Sequence, residues 1–322
     1  MSATTRTSAG PVVVALGGNA IAQPGDTGPE AQRQAVEQAM RQVAGVIAAG
    51  RDVVLTYGNG PQVGNLLIKN ELARDVVPPV PLDWCVAQTQ ATLAYLITTA
   101  LERELAERGI ARLVTPVLTR VLVAADDPAW RHPTKPIGPY VTAAQARERI
   151  ARGESWEDRG ERGWRRVVPS PEPREILDRR MIGHLLADGA IVVAAGGGGI
   201  PMVRSNGRLE GVEAVIDKDL SGALLADTIE AEALVIATDV EAAAVRFGTP
   251  EQEELGHVSS EELRSYADAG EFASGSMGPK VQAALRFVEH GGQRAAITSL
   301  ERLAEAVEGR AGTIVEAQEV YR

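Results

Sequence analysis

Val12 to Leu16 is a run of five apolar residues that stops at Gly17-Gly18. A strand without a polar face must be covered on both sides, the condition of a parallel strand inside a sheet. Val36, Met40, Val43 and Ile47 then recur at helical spacing until Gly50 ends the pattern. Asp52 to Thr56 repeats the strand signature, Val86 to Leu105 reads as a long buried helix, and Val114 to Val123 reads as strand. The order β-α-β-α-β admits few solutions, and the expected one is an open, mostly parallel sheet sandwiched by helices. Ile176 to Leu186 is expected as helix and Ala190 to Ala195 as a buried strand. Leu234 to Thr238, Ala295 to Thr298 and Thr313 to Val315 supply further strands, and Val281 to Val288 a helix with one apolar face.

The pattern breaks between Ala125 and Pro173. That stretch holds Pro128, Pro133, Pro136, Pro139, Pro169, Pro171 and Pro173, together with Trp130, Trp156 and Trp164. The tryptophans argue for a small protruding subdomain with its own packing rather than a disordered insertion, and such inserts often serve as lids. The expected organisation is a Ser/Thr-rich disordered tail over 1–10 and two lobes. An N-terminal lobe spans 11–189 and includes the excursion at about 125–173; a C-terminal lobe spans 190–322.

Charge narrows the function. A net charge of -10 and a pI near 5.1 argue against non-specific nucleic-acid binding and against an anionic membrane surface. No apolar run reaches the length of a membrane span, and Met1 to Gly10 lacks the apolar core of a signal peptide. Cys85 is the single cysteine, which precludes an intrachain disulfide; its apolar setting predicts a buried, inert thiol, and a cytoplasmic location is expected. Lysine is scarce: only Lys69, Lys135, Lys218 and Lys280 occur, so an acidic chain that handles polyanions must concentrate them.

Lys218 sits between two acids in Val215-Ile216-Asp217-Lys218-Asp219-Leu220, ahead of an Ala/Leu-rich helix. Alone, such a lysine is usually a solvated surface feature. Gly17-Gly18-Asn19 and Gly58-Asn59-Gly60 each follow a strand candidate, and Gly278-Pro279-Lys280 opens a helix. Ligands of open α/β sheets lie beyond the carboxyl ends of the strands, where Gly196 to Gly199 and Thr238-Asp239-Val240 also fall. Any one βα turn can need glycine for its own geometry. Together, these loops bring backbone N–H groups, asparagine amides and mobile cations to one edge, a phosphoryl-transfer parts list without a P-loop. No G-x-x-x-x-G-K-[ST] occurs. The four-glycine run leads to Ile200-Pro201 rather than a helix, and Gly275-Ser276-Met277-Gly278 has the wrong spacing for a nucleophile elbow. Scattered histidines and a lone cysteine make a zinc site improbable.

Five segments in register resemble the carbamate kinases of the amino-acid kinase superfamily. They are Ala15 to Ile21, Gly58 to Gly64, Pro133 to Pro139, Gly211 to Asp219 and Gly275 to Lys280, and the resemblance runs from about Val12 to Val315. Many superfamily relatives carry a lysine where this chain has Ala15, and carbamate kinases likewise lack it. The resemblance implies reversible phosphoryl transfer between ATP and carbamate, giving ADP and carbamoyl phosphate. It implies catalytic roles for Lys135, Lys218, Asp219 and Lys280. Gly17, Gly18, Asn19, Gly58, Asn59, Gly60 and Asp217 would hold the acceptor and the transferred group. Lys218, Thr238, Asp239, Val240, Met277, Gly278 and Lys280 would line the nucleotide side. ATP or ADP would arrive with Mg²⁺ on its phosphates, and a homodimer and a place in arginine metabolism are implied as well. The N-terminal lobe would carry the acceptor and the C-terminal lobe the nucleotide. Tyr57 stands where a histidine often precedes the G-N-G segment, and Ala91-Thr92 replaces a glycine-containing pair, which leaves the acceptor preference open. The alternatives are a related kinase for another small carboxylate and a non-catalytic sensor of nucleotide or carbamoyl phosphate.

Overall fold

The computed structural model describes residues 10–18, 21, 28–272 and 277–317. The tail over 1–9, Asn19, and Gly275-Ser276 lie outside them. In chain order the elements begin with β1 (Val12–Leu16), α1 (Pro29–Ala48), β2 (Val53–Tyr57), α2 (Gly60–Ala73), α3 (Leu82–Glu107), β3 (Val114–Pro116) and β4 (Arg120–Val123). The excursion contributes β5 (Lys135–Val141), α4 (Ala143–Ile150), β6 (Ser155–Asp158) and β7 (Trp164–Val168). Next come β8 (Pro173–Ile176), α5 (Arg179–Ala187), β9 (Ile191–Val193), β10 (Ile200–Ser205), β11 (Arg208–Gly211), α6 (Lys218–Thr228) and β12 (Ala233–Thr238). The last are β13 (Ala244–Val245), β14 (Glu253–Glu254), β15 (His257–Ser259), α7 (Ser260–Asp268), α8 (Met277–Glu289), β16 (Arg294–Ser299), α9 (Leu303–Val307) and β17 (Thr313–Glu316).

An eight-stranded sheet runs β15-β17-β16-β12-β1-β2-β9-β3, and every pair except β16–β17 is parallel. Strand alternation sends Val13, Ala15, Val54 and Val192 to one face, where Leu225 of α6 and Val281 and Leu285 of α8 cover them. Val12, Val14, Leu16, Val53 and Leu55 face the other way, against Val43 of α1, Ile97 of α3 and Leu303 of α9. Both faces are thus buried, as the unbroken apolar run of β1 requires.

The excursion forms its own antiparallel sheet, β5-β7-β6, with α4 capped by a reciprocal Thr142–Gln145 box. It is seated by a third apolar cluster in which Ile137 and Val168 meet Val63, Cys85 and Val86. A Cβ on Gly64 of α2 would lie 3.1 Å from the Gly138 Cα, so helix and strand meet backbone to backbone there. Cys85 is buried; burial pushes its thiol pKa up, and the Asn70 amide lies 3.7 Å from its Sγ.

Two expected elements are redrawn. Val114 to Val123 is not one strand: β3 stays in the large sheet while β4 joins a second sheet, β11-β10-β4-β8. The break occurs because the Gln90 side chain accepts from the Thr119 N–H at 3.0 Å and donates to the Thr119 carbonyl at 3.1 Å, the work a neighbouring strand would do. The helix expected from Ile176 starts at Arg179, since Ile176 pairs antiparallel with Val121 of β4.

Candidate active site

Parallel register fixes where the loops meet. Leu16 lies opposite both Tyr57 and Ala237, and Leu55 opposite Val193, so β1, β2, β12 and β9 end side by side. The Gly17 N–H donates to the Ala237 carbonyl at 2.8 Å and the Gly58 N–H to the Leu16 carbonyl at 3.0 Å. A Cβ on Gly58 would sit 3.0 Å from the Lys218 Cδ and 3.3 Å from the Gly18 nitrogen. Gly18, Gly58 and the Lys218 chain are therefore stacked, and any side chain at Gly58 would push the lysine away.

Three helices start at this edge: α2 after Gly58-Asn59, α6 at Lys218, and α8 at Met277. Their first turns present positive dipole ends suited to anions. Asp217 is the cap of α6: its Oδ1 accepts from the Asp219 N–H at 2.9 Å and the Leu220 N–H at 3.3 Å. Its Oδ2 receives the Lys135 ammonium at 2.5 Å, bringing the excursion onto the start of the helix. Burial alone would raise the Asp217 carboxyl, but Lys135, with help from Lys218, holds it below the usual carboxylate range.

Asp219, with its side chain only 4% exposed, lies between two ammonium groups. Lys218 pairs with Oδ1, and Lys280 lies 3.4 Å from Oδ2. Burial pushes the Lys280 ammonium below its ordinary lysine value, Asp219 pulls it back up, and Lys218 adds to the depression. The sequence therefore brings three of its four lysines to two neighbouring aspartates. Lys69 is exposed on α2 and stays outside.

Thr238 ends β12 beside Gly17 and donates to Asp239 at 3.0 Å; Asp239 and Val240 are exposed on the rim. Met277 and Gly278 open α8, where a Cβ on Gly278 would lie 2.8 Å from the Phe272 carbonyl. Asn59 is buried and donates to Thr89 at 2.8 Å, so its amide is directed by α3. Asn19 lies outside the described residues.

The sequence put Gly196 to Gly199 at this edge but did not single out Gln90, Thr119 and Ser221, which hold the turn as its floor. Gly196 to Gly198 form a tight turn in which Gly197 has φ +65°, and a Cβ there would fall 2.0 Å from the Asn59 amide nitrogen. A Cβ on Gly196 would meet the Tyr57 ring at 2.3 Å. Tyr57 is buried beneath the turn and donates to the Gln90 carbonyl at 2.9 Å, and burial pushes its phenol up. The Gln90 amide donates to the Gly196 carbonyl at 3.0 Å, the Ala195 N–H donates to the Thr119 hydroxyl at 2.9 Å, and the Ser221 hydroxyl of α6 donates to the Gly198 carbonyl at 2.7 Å. Gln90 could have been noticed: it lies four residues from Val86 and Ala94, a polar side chain on the buried stripe of a helix. Ala91 and Thr92, by contrast, are exposed.

The profile of the amino acid kinase family matches residues 10–299. A carbamate kinase of Pyrococcus furiosus is 46% identical over 310 residues, covering 94% of this chain and 98% of its own. Carbamate kinase 1 of Enterococcus faecium is 45% identical over 294 residues, covering 91% and 94%. Among solved structures, carbamate kinase from Giardia lamblia bound to AMP-PNP superimposes with a TM-score of 0.91 at 37% identity, over 97% of this chain and 99% of that one. The chain belongs to the amino acid kinase family.

Proposed function

We propose that the chain catalyses reversible phosphoryl transfer between ATP and carbamate, yielding ADP and carbamoyl phosphate. The observation that carries this reading is the Lys218–Asp219–Lys280 arrangement beside Gly18 and Gly58. Phosphoryl transfer asks for in-line positioning and neutralisation of charge on the migrating group, with little covalent chemistry from the protein. Lys218 and Lys280 take the oxygens of the transferred group from two sides while Asp219 aims both ammoniums. The N–H groups of Gly17, Gly18, Gly58 and Gly60 and the amides of Asn19 and Asn59 hold the acceptor end. Lys135 approaches it from the excursion, and Asp217 acts on that end through Lys135. Carbamate is already an anion, so no general base is required.

In this reading Thr238, Asp239, Val240, Met277 and Gly278 border the nucleotide, with the acceptor on the N-terminal half (11–189) and ATP on the C-terminal half (190–322). Asp217 and Asp219 are engaged by lysines, and no group of three or more potential metal-ligating side chains occurs among the described residues. That donor set fits Mg²⁺ carried on nucleotide phosphates, where it supplies charge neutralisation. The exposed Leu113, next to the edge strand β3, and the exposed Tyr95 of α3 support a homodimer. No helix among the described residues is long and apolar enough to cross a membrane, which supports a cytoplasmic enzyme.

The decisive assay is ADP-dependent ATP formation from carbamoyl phosphate. Robust turnover is expected. Nucleotide binding without turnover would favour the sensor, and turnover only with another acyl phosphate the related kinase.

A further inference from the structure

A cleft of about 610 Å³ separates the excursion from the body and shares none of its lining with the lysine cluster. That volume is typical of small-molecule sites. Its body wall mixes the apolar side chains Leu67, Ile68 and Val80 with Glu71, Arg74 and Glu213; the opposite wall carries Arg149, Trp156 and Arg166. The Arg149 guanidinium lies 5.1 Å from the centre of the Trp156 ring, and Trp156 faces Arg166 across the β6–β7 pair. Arg149 thus stacks on the Trp156 ring, and Arg166 is the cross-strand neighbour of Trp156.

Hydrogen-bonding capacity in the cleft is lopsided. The Arg149 and Arg166 side chains are 19% and 21% exposed, and their nearest carboxylates are Glu71 at 3.9 Å and Glu154 at 3.7 Å. Both separations exceed hydrogen-bond length. The Arg166 Nε is buried without a partner. The carboxylates, in contrast, are committed. Glu154 accepts from the Trp156 indole at 2.8 Å, Glu213 from the Leu82 N–H at 2.7 Å, and Glu71 from Arg152 at 3.1 Å and Arg74 at 3.0 Å. Among the charged side chains, the hydrogen-bonding capacity left open belongs to the planar guanidinium groups of Arg149 and Arg166, next to an aromatic face and across from Leu67, Ile68 and Val80. Such a surface selects an oxyanion with an apolar body.

We propose that this cleft binds a small organic anion, a carboxylate or phosphate ester with an apolar portion, through Arg149 and Arg166. The anionic end lies on the excursion and the apolar end on α2, so the ligand ties the two together. Ile137 and Gly138 line the cleft, Gly138 meets Gly64, and Lys135 on the same strand reaches Asp217. Occupancy therefore steadies the strand that carries Lys135 and lowers the KM for carbamoyl phosphate. That kinetic consequence rests on the function proposed above; binding itself does not.

Titration calorimetry of the full chain with 1-naphthylacetate, 1-naphthyl phosphate and neutral 2-(1-naphthyl)ethanol tests the site. One anion per chain is expected to bind in the presence of saturating ADP, with the alcohol about tenfold weaker or worse. The tighter of the two anions identifies the preferred head group. Arg149→Gln and Arg166→Gln should each weaken the anion about tenfold, and Arg166→Lys, which keeps the charge but loses the fork, should weaken it less. Thermal melts of each variant separate lost binding from lost folding. The proposal fails if neither anion binds up to about 10 mM, if ADP displaces the anion, if the alcohol binds equally well, or if the folded arginine variants bind unchanged. Binding without any carbamoyl phosphate turnover would leave the site intact and remove the functional reading instead.

Discussion

Replacing Asp219 with asparagine isolates the most charged part of the site. The substitution keeps the side-chain size and removes the countercharge shared by Lys218 and Lys280. Both ammoniums then face each other in a setting where Asp219 itself is 4% exposed. Removing one partner of a buried ion pair costs about 3–5 kcal/mol. At about 2.1 cal/mol/K of unfolding entropy per residue, a chain of 322 residues changes by roughly 0.7 kcal/mol per degree. The melting midpoint of Asp219→Asn should therefore fall by about 4–7 °C. ADP brings phosphate oxygens to the same ammoniums, so its stabilising shift, about 2.7 kcal/mol at a hundredfold excess over Kd in the parent, should be larger in the variant. Turnover should fall about 10²–10³-fold, since the cations are present but no longer aimed. Proton loss from Lys280 offers relief, and its direction is fixed. Its folded pKa is already depressed by burial, so the penalty is complete below that pKa and shrinks as pH rises toward the ordinary lysine value. Differential scanning at two pH values, with and without ADP, measures all of this. A midpoint within about 1 °C of the parent, together with kcat within about threefold, would refute the reasoning.

Lys218→Ala and Lys280→Ala should each lower kcat about 10²–10³-fold with the fold retained by circular dichroism; near-parental kcat in either would count heavily against their roles. Asp217→Asn keeps a good helix cap but loses the ion pair with Lys135. It should raise the KM for carbamoyl phosphate about tenfold, and have little further effect in a Lys135→Ala background; equal effects in both backgrounds would mean that Asp217 acts independently. Gly197→Ala forces a Cβ to within 2.0 Å of the Asn59 amide at φ +65°. It should lower the melting midpoint and raise KM, whereas Gly45→Ala, with open space inside α1, should stabilise by about 0.5–1 kcal/mol; a silent Gly197→Ala would show that the turn tolerates a side chain.

The elements legible in the sequence were those whose burial is nearly uniform. β1 and β2 are fully buried five-residue strands, and periodicity finds such runs without knowing their neighbours. Val114 to Val123 misled because an apolar run cannot reveal that a glutamine from another element will occupy the ladder at Thr119. In the excursion, β5 was hidden by Gly138 and Pro139, which interrupt alternation where β5 and β7 slip in register. In the site, glycines and lysines were visible as residue types, and the resemblance supplied their grouping. The pairing of Lys135 with Asp217, 82 positions apart, and of Lys280 with Asp219, 61 apart, is tertiary information that no local pattern carries. Tyr57, noted in the sequence only as a departure before Gly58, packs under the glycine turn and donates to the Gln90 carbonyl.

The dual attachment of Asp217 makes the amide protons of Asp219 and Leu220 into reporters. Their exchange with solvent depends on a carboxylate whose other oxygen grips an arm from a different sheet. When that arm lifts, the grip on the helix start slackens too, and deuterium uptake at two positions registers a movement made elsewhere in the molecule.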